Sequence, residues 1–282
     1  MAEEMKGKTV VITGANSGIG FETSIALAKM GAKVFMVARN PKLGQDALAL
    51  VRERSSNKNV ELMLCDFSSL SNVRKLAEEI IKKCPRLDVL VNNAGKTFGT
   101  RSVTAYGFEW TFGVNHLAPF LLTNLLLPLL KKSAPARVVN TASLAHTFGH
   151  INFEDIMAEK KYAEMTAYAQ SKLANVLFSA ELSKRLAGTG VTSNSLHPGV
   201  VSTQFAAAGG VFSKLFYRWF KFIMKTPAQG AKTTIYLASS PDVEGISGKY
   251  FSNCKVAKPS KEGRDDSVAK RLWDLSEKLT GI

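Results

Sequence analysis

Cysteine is scarce in this chain: three in 282 residues, at Cys65, Cys84 and Cys254. They are scattered and odd in number, which excludes a disulfide framework and a C-x-x-C metal spacing and points to a reducing compartment. Histidine is nearly as thin. His116, His146, His150 and His197 lack metal-ligand spacing and have no nearby cysteine, so they are read as structural and no metal is expected. Long apolar runs are missing too. The longest, Phe120 to Leu130, falls short of the roughly 18 residues a membrane span needs and reads as a buried helix. The N-terminus, Met1 to Lys6, is charged and has no signal-peptide core. A cytoplasmic location, with peripheral membrane association as an option, is the expectation. Acidic residues are in deficit, 23 against 37 Lys and Arg, giving a net charge of +14. That permits nucleic acid, anionic membrane or phosphorylated ligands as partners. No nucleic-acid module is present, so nucleic acid is disfavoured.

What is there is an alternation. Short β-branched or apolar runs at 9–13, 33–38, 60–65, 87–92, 137–141 and 191–196 read as strands. Helical patterns follow at 21–30, 42–55, 71–83, 111–130 and 167–186, with another at 266–279. This is the sequence form of an α/β fold with a doubly wound, Rossmann-type parallel sheet and helices on both faces. No linker interrupts it, so residues 1–282 are read as one domain. Two stretches depart from the alternation, 144–166 and 200–226.

Gly14-x-x-x-Gly18-x-Gly20 lies between the first strand and the first helix. Glycines allow the tight turn and let backbone approach a pyrophosphate, whose charge the helix N-terminus favours. Asn16, Ser17 and Ile19 belong to the same cradle. Arg39, followed by Asn40, ends the second strand, where an acid would suit a ribose 2′-OH and an arginine suits a 2′-phosphate. With no acid adjacent, NADP(H) is expected over NAD(H). Tyr168 and Lys172 stand four apart in a predicted helix, so phenol and ammonium share one face. The expectation is that the cation lowers the phenol pKa and makes a proton donor or acceptor usable near neutral pH. The bland alternative is a Tyr and a Lys on a solvated face. The order of the other motifs argues against it.

With Thr13-Gly14-x-x-x-Gly18-x-Gly20, Asp66, Asn92-Asn93-Ala94-Gly95, Asn115, Ser143, Tyr168-x-x-x-Lys172 and Pro198-Gly199 in place, the chain resembles the short-chain dehydrogenase/reductase family over nearly its whole length. Phe112 to Leu117, Ser143 to His146, Ser171 to Asn175, Leu196 to Val200 and Ser247 to Phe251 look like its retinol dehydrogenase branch. The resemblance implies these roles. Tyr168 would be general acid for carbonyl reduction and base for alcohol oxidation. Lys172 would tune it and hold the nicotinamide ribose. Ser143 would hydrogen-bond the substrate oxygen, and Asn115 would position a water relaying protons to Lys172. Gly14 to Gly20 would cradle the pyrophosphate, and Asp66 and Phe67 would flank the adenine. Asn92, Ala94 and Gly95 would line the groove, with Pro198, Gly199, Val201 and Thr203 at the nicotinamide end. Lys96 departs from the apolar residue usual after the N-N-A-G motif and brings a charge near the site. The branch often carries an N-terminal membrane anchor, which is not seen here. Homo-oligomers are common in the family and are expected.

Residues 205–241 contain no Asp or Glu. Lys214, Arg218, Lys221 and Lys225 repeat on one helical face, with Phe212, Leu215, Phe216, Trp219, Phe222 and Ile223 opposite. Three readings compete for 212–225: a helix packed on the core, a helical substrate lid (insertion 200–226), or a membrane-docking surface that coexists with the lid. Three functions follow. The first is an NADP(H)-dependent oxidoreductase on a lipophilic, retinoid-like carbonyl/alcohol pair. The second shares the chemistry on a steroid or xenobiotic carbonyl. The third is a non-catalytic, NADP-binding, membrane-associated protein.

Overall fold

The computed structural model describes residues 4–199 and 225–282. In chain order the strands are β1 (Thr9–Thr13), β2 (Lys33–Ala38), β3 (Val60–Leu64), β4 (Val89–Asn92), β5 (Ala136–Thr141), β6 (Val191–His197), β7 (Tyr250–Ser252) and β8 (Lys255–Ala257). The main helices are α1 (Gly18–Lys29), α2 (Pro41–Ser55), α3 (Leu70–Lys83), α4 (Trp110–Phe112), α5 (Ala118–Lys132), α6 (Glu164–Arg185), α7 (Pro227–Ser239) and α8 (Asp266–Thr280).

The strands form one sheet in the order β3-β2-β1-β4-β5-β6-β7-β8. All neighbours are parallel except β7 and β8, which pair antiparallel. The chain winds outward from β1 to β3, then returns and winds the other way from β4. The crevice at that reversal, between β1 and β4, is where open parallel sheets take ligands. Gly14 leaves β1 and Asn93 leaves β4 on its two sides.

Alternation along the strands explains the layers, because successive side chains point to opposite faces. Val11, Phe35, Val37, Leu90 and Val138 pack with α3, α5 and α6 residues such as Leu76, Phe120 and Phe178. Val10, Ile12, Val34, Met36, Val89 and Val91 pack with α1 and α2, through Ile25, Leu27, Leu48 and Val51, and with Leu237 of α7. A sheet covered on both faces needs apolar residues at every position, which is why β1 and β2 read as continuous runs.

Three differences from the sequence reading have physical causes. Strands β7 and β8 are three residues each, too short for any periodicity. Helix α7 was not anticipated, although Thr226 and Gln229 form a reciprocal capping box with Pro227 at the first turn. The helix read at 111–130 is present, but the apolar stretch it carries exceeds Phe120 to Leu130 and passes the length for a membrane span. Trp110–Lys132 is continuous and, by length and composition, sufficient to cross a membrane, but most of it is buried against the core, which accounts for its apolarity. A π turn, Gly113–Leu117, interrupts it.

Of the 200–226 insertion, only Lys225 and Thr226 are described, so the 212–225 face and its lid reading lie outside the described residues.

Candidate active site

The glycine loop is shaped from behind by the strand across the switch point. Thr13 Oγ1 accepts from the amides of Asn93 and Ala94, both at 2.9 Å. Asn93 Nδ2 donates to Thr13 O at 2.9 Å and to Gly14 O at 3.3 Å. The fit leaves no room for side chains. A Cβ on Gly20 would press on Gly14 O and stand 2.6 Å from Asn93 Nδ2, and Gly14 has φ +65° with Ala94 Cα 2.9 Å from its would-be Cβ. Ser17 is the N-cap of α1, yet its hydroxyl caps nothing, and the first turn holds no acid. The helix therefore presents open amides and an uncompensated positive dipole end, which suits a phosphate.

Arg39 and Asn40 are exposed at the end of β2. Asn40 Oδ1 is occupied as the N-cap of α2, accepting from Leu43 N at 3.0 Å. Asp66 Oδ1 accepts from Ser68 N and Oγ at 3.0 and 2.8 Å. Two expected groove residues turn inward instead. Phe67 is 8% exposed and its side chain belongs to the same core cluster as Leu70 and Val73, which leaves its backbone as the part that can face an adenine. Asn92 Nδ2 donates to Thr123 Oγ1 and Asn140 Oδ1, at 2.9 and 2.8 Å. Its side chain belongs to a buried polar network between β4, β5 and α5. Asn93 and Thr13, the residues that brace the loop, are the contribution that residue-by-residue reading passed over.

At the other end of the crevice the catalytic candidates converge. Tyr168 and Lys172 lie one turn apart on α6, with Nζ 5.5 Å from the phenol ring centroid. Lys172 is 4% exposed, and its Nζ donates to Thr141 O at 3.2 Å. Ser143 follows β5, and its hydroxyl is hydrogen-bonded to the Tyr168 phenol. Ser143 Oγ also accepts from Ala145 N at 3.2 Å, opening a short 3₁₀ turn, Leu144–Phe148.

Asn115 sits in the π turn. Its Oδ1 accepts from Lys96 N at 2.9 Å, and its Nδ2 donates to Ser171 Oγ at 3.0 Å. Both ends of this side chain are thus engaged. They tie the loop after β4 to α6. Gly95 closes the cluster, since its would-be Cβ lies 3.1 Å from Asn115 Oδ1 and 3.4 Å from Lys172 Nζ. The Lys96 ammonium lies over the Phe98 ring, 4.8 Å from its centroid.

The electrostatics correct one expectation. Burial disfavours the charged form of each partner, so the Lys172 ammonium is pushed down to about 8 and the Tyr168 phenol up to about 12. The Ser143 hydrogen bond pulls the phenol back only in part. Desolvation outweighs that hydrogen bond. Tyr168 is therefore a protonated donor at neutral pH, not a phenolate.

Pro198 and Gly199 follow β6; Gly199 has φ +96°, and the Lys225 side chain packs against it. Val201 and Thr203 lie outside the described residues. Among the described residues no group of three or more His, Cys, Asp or Glu could hold a metal ion. Burial pushes the Cys65 and Cys84 thiols up to about 12 and 11, away from reactivity.

Comparison with known proteins identifies the family. Residues 8–210 match the short chain dehydrogenase family. Retinol dehydrogenase 14 of Mus musculus is 45% identical over 295 residues, covering 99% of this chain and 87% of the relative. Retinol dehydrogenase 12 of Homo sapiens is 46% identical over 279 residues, covering 99% and 88%. Among solved structures, an uncharacterised protein from Mycobacterium paratuberculosis has TM-score 0.81 and 36% identity, covering 98% and 94%. A short chain dehydrogenase from Shigella flexneri complexed with NADP has TM-score 0.71 and 25% identity, covering 88% and 98%. The fold coincides with that of the solved relatives, and the matches place the chain: it belongs to the short chain dehydrogenases, oxidoreductases that act on CH–OH groups with a nicotinamide dinucleotide, and within them to the retinol dehydrogenase branch.

Proposed function

We propose that the protein is an NADP(H)-dependent oxidoreductase interconverting a lipophilic aldehyde or ketone with its alcohol, a retinal/retinol-like pair being the substrate. The observation that carries the reading is the meeting of the Ser143 and Tyr168 hydroxyls beside buried Lys172. A substrate oxygen lodged between the two hydroxyls takes the Tyr168 proton and a hydrogen bond from Ser143, which stabilises the charge that develops on it. Because burial keeps Tyr168 protonated, the phenol is ready to serve as the acid in carbonyl reduction. Lys172 holds the ribose of the dinucleotide, and its depressed pKa leaves it able to exchange a proton near neutral pH. With the Asn115 side chain engaged at both ends, a relay water would rest on backbone in the π turn. When bound, the nicotinamide supplies or accepts the hydride.

Gly14 to Gly20 and the α1 N-terminus would hold the pyrophosphate. Asp66 would meet the adenine through its second carboxylate oxygen. Ala94 and Gly95 would line the groove, and Pro198, Gly199, Val201 and Thr203 would flank the nicotinamide. Arg39, exposed at the β2 end without an adjacent acid, supports NADP(H), as does the NADP complex of the Shigella flexneri neighbour. Retinoid-like substrates are supported by the retinol dehydrogenases among the relatives. They are also supported by the exposed apolar side chains near Ser143 and Tyr168, namely Leu144, Met165 and Phe148, the last 64% exposed. Segment 200–226 is proposed as the substrate lid, and liposome binding with its aromatics truncated would test membrane contact.

The test is dinucleotide oxidation with all-trans-retinal, medium-chain aldehydes, steroids and quinones, using NADPH and NADH in parallel. Turnover of retinal with NADPH is expected. Preference for NADH would remove the cofactor assignment, and no oxidation with any carbonyl would leave a binding protein.

A further inference from the structure

The sequence assigns His146 and His197 a structural role, and the structure gives it a place: each grips the backbone around Ser143. A carbonyl oxygen can only accept and an amide can only donate, so the partners fix the tautomers. His146 Nδ1–H donates to Ser143 O at 2.6 Å, and its Nε2 accepts from Ser260 N at 3.2 Å. His197 Nδ1 accepts from Leu144 N at 3.1 Å. The peptide group joining Ser143 to Leu144 is thereby held at both its oxygen and its nitrogen by two rings. One ring sits in the turn that follows Ser143. The other ends β6.

We propose that His146 and His197 are positioning residues for the reaction, clamping the Ser143–Leu144 peptide so that the Ser143 hydroxyl stays beside Tyr168, and that Ser260 makes the C-terminal segment part of this clamp. The role as a catalytic clamp rests on the function proposed above. The arrangement has support from its surroundings. The His146 ring packs on Tyr250, with centroids 4.6 Å apart, which fixes its plane. Glu262, two residues past Ser260, accepts from Ile151 N and bonds His150, so the same segment straps the connection again further on.

Only neutral rings can make these bonds. Protonating His146 sets an N–H against Ser260 N–H. Protonating His197 sets one against Leu144 N–H. Among the described residues, the ionisable groups on the surrounding elements are Tyr250 on β7, Tyr168 and Lys172 on α6, Lys225, whose Nζ bonds Asn253, and Lys261 and Glu262 on the Ser260 segment. Glu262 is the one carboxylate among them, and its two oxygens are taken by His150 and Ile151 N. Burial lowers the His146 pKa, and burial together with Lys225 takes His197 to about 4. Both depressed values mean that the clamp is intact above the ordinary imidazole range and fails as pH falls through the folded-state values. Tyr168 is the proton donor in reduction and stays protonated at low pH, so an acid fall in the reductive kcat reports the clamp.

The experiment has two readouts on the full chain. In ¹⁵N-labelled protein, imidazole nitrogen shifts should show His146 as the Nδ1–H tautomer and His197 as Nε2–H at neutral pH, with His197 staying neutral well below the ordinary imidazole range. The opposite tautomer at His146, or both rings charged at pH 6, overturns the proposal even if no carbonyl is ever reduced. In kinetics, His146→Phe should lower the reductive kcat roughly 10- to 100-fold, the scale of a small misplacement of a catalytic group, while dinucleotide affinity stays within about 2-fold. His146→Asn keeps an N–H for Ser143 O and should restore most of the loss. His197→Asn keeps an acceptor for Leu144 N, cannot protonate, and should move the acid limb to lower pH. Wild-type kcat in His146→Phe, or an unmoved acid limb in both asparagine variants, overturns the clamp. If the phenylalanine variant does not fold, the two asparagine variants decide. A wild type with no reductase activity but with the expected tautomers would end the functional reading alone.

Discussion

The two ends of the crevice are built in opposite ways. The glycine loop between β1 and α1 is held by backbone and by one neighbouring strand, through Thr13 and Asn93. All its parts lie within the first 95 residues. The Ser143 end is held from afar: the His197 side chain reaches across 53 positions, that of Glu262 across 111, and the Ser260 amide meets the His146 ring across 114. A site half made of backbone tolerates side-chain change until a Cβ intrudes, and then fails abruptly. A half made of distant side chains degrades by degrees.

Substitutions can break that contrast or sharpen it. The largest effect belongs to Tyr168→Phe, which should lower carbonyl reduction about 10²- to 10⁴-fold with dinucleotide binding intact. Parallel loss of both would mean that the two ends are not separable. Next is the buried lysine. Its folded pKa, about 8, lies below its ordinary value, so unfolding takes up a proton between pH 8 and 10.5, and the native state gains stability as pH rises through that window. Denaturant unfolding of Lys172→Met should lack this gain, worth up to roughly 3 kcal/mol against wild type. A flat difference across the window would show that Lys172 is not desolvated. On the backbone side, Gly20→Ala should cost about 1–3 kcal/mol and abolish dinucleotide binding, measured by fluorescence titration, since the intruding methyl meets Gly14 O and Asn93. Arg39→Ala should raise the KM for NADPH about 10-fold and leave that for NADH little changed. The mildest is Glu262→Gln, which should lower kcat about 2- to 5-fold without touching dinucleotide affinity, as expected for one weakened hydrogen bond in the distant strap.

The same contrast governs what could be read from the chain. Strands β1 to β6 announce themselves because a sheet covered on both faces demands unbroken apolar runs. The glycine pattern and the Tyr168–Lys172 spacing are local and were legible for the same reason. Ser143 and Asn115 were found by resemblance, not by pattern, and the structure does bring them to Tyr168 and Lys172. Depth was not legible. A cation four residues from a phenol suggests a lowered pKa, and only burial reverses the direction. Nor does N-N-A-G reveal that Asn92 points into the β4–β5 network while Asn93 faces the loop, since that follows from strand alternation at a strand end whose register is set by Asn140 opposite. Two of the three histidine contacts depend on partners more than fifty positions away, which no local pattern encodes.

The Ser260–His146 bond also orders events in time. During synthesis every residue of the glycine loop and its brace has emerged by residue 95, whereas the Ser143 turn waits for residues 260 and 262. At typical elongation rates the interval is on the order of ten seconds or more. A nascent chain in that interval carries a finished dinucleotide loop and an unfastened catalytic turn. The half that binds is born before the half that reacts, and the tail of the protein, by arriving last, sets the moment at which binding and reaction become one site.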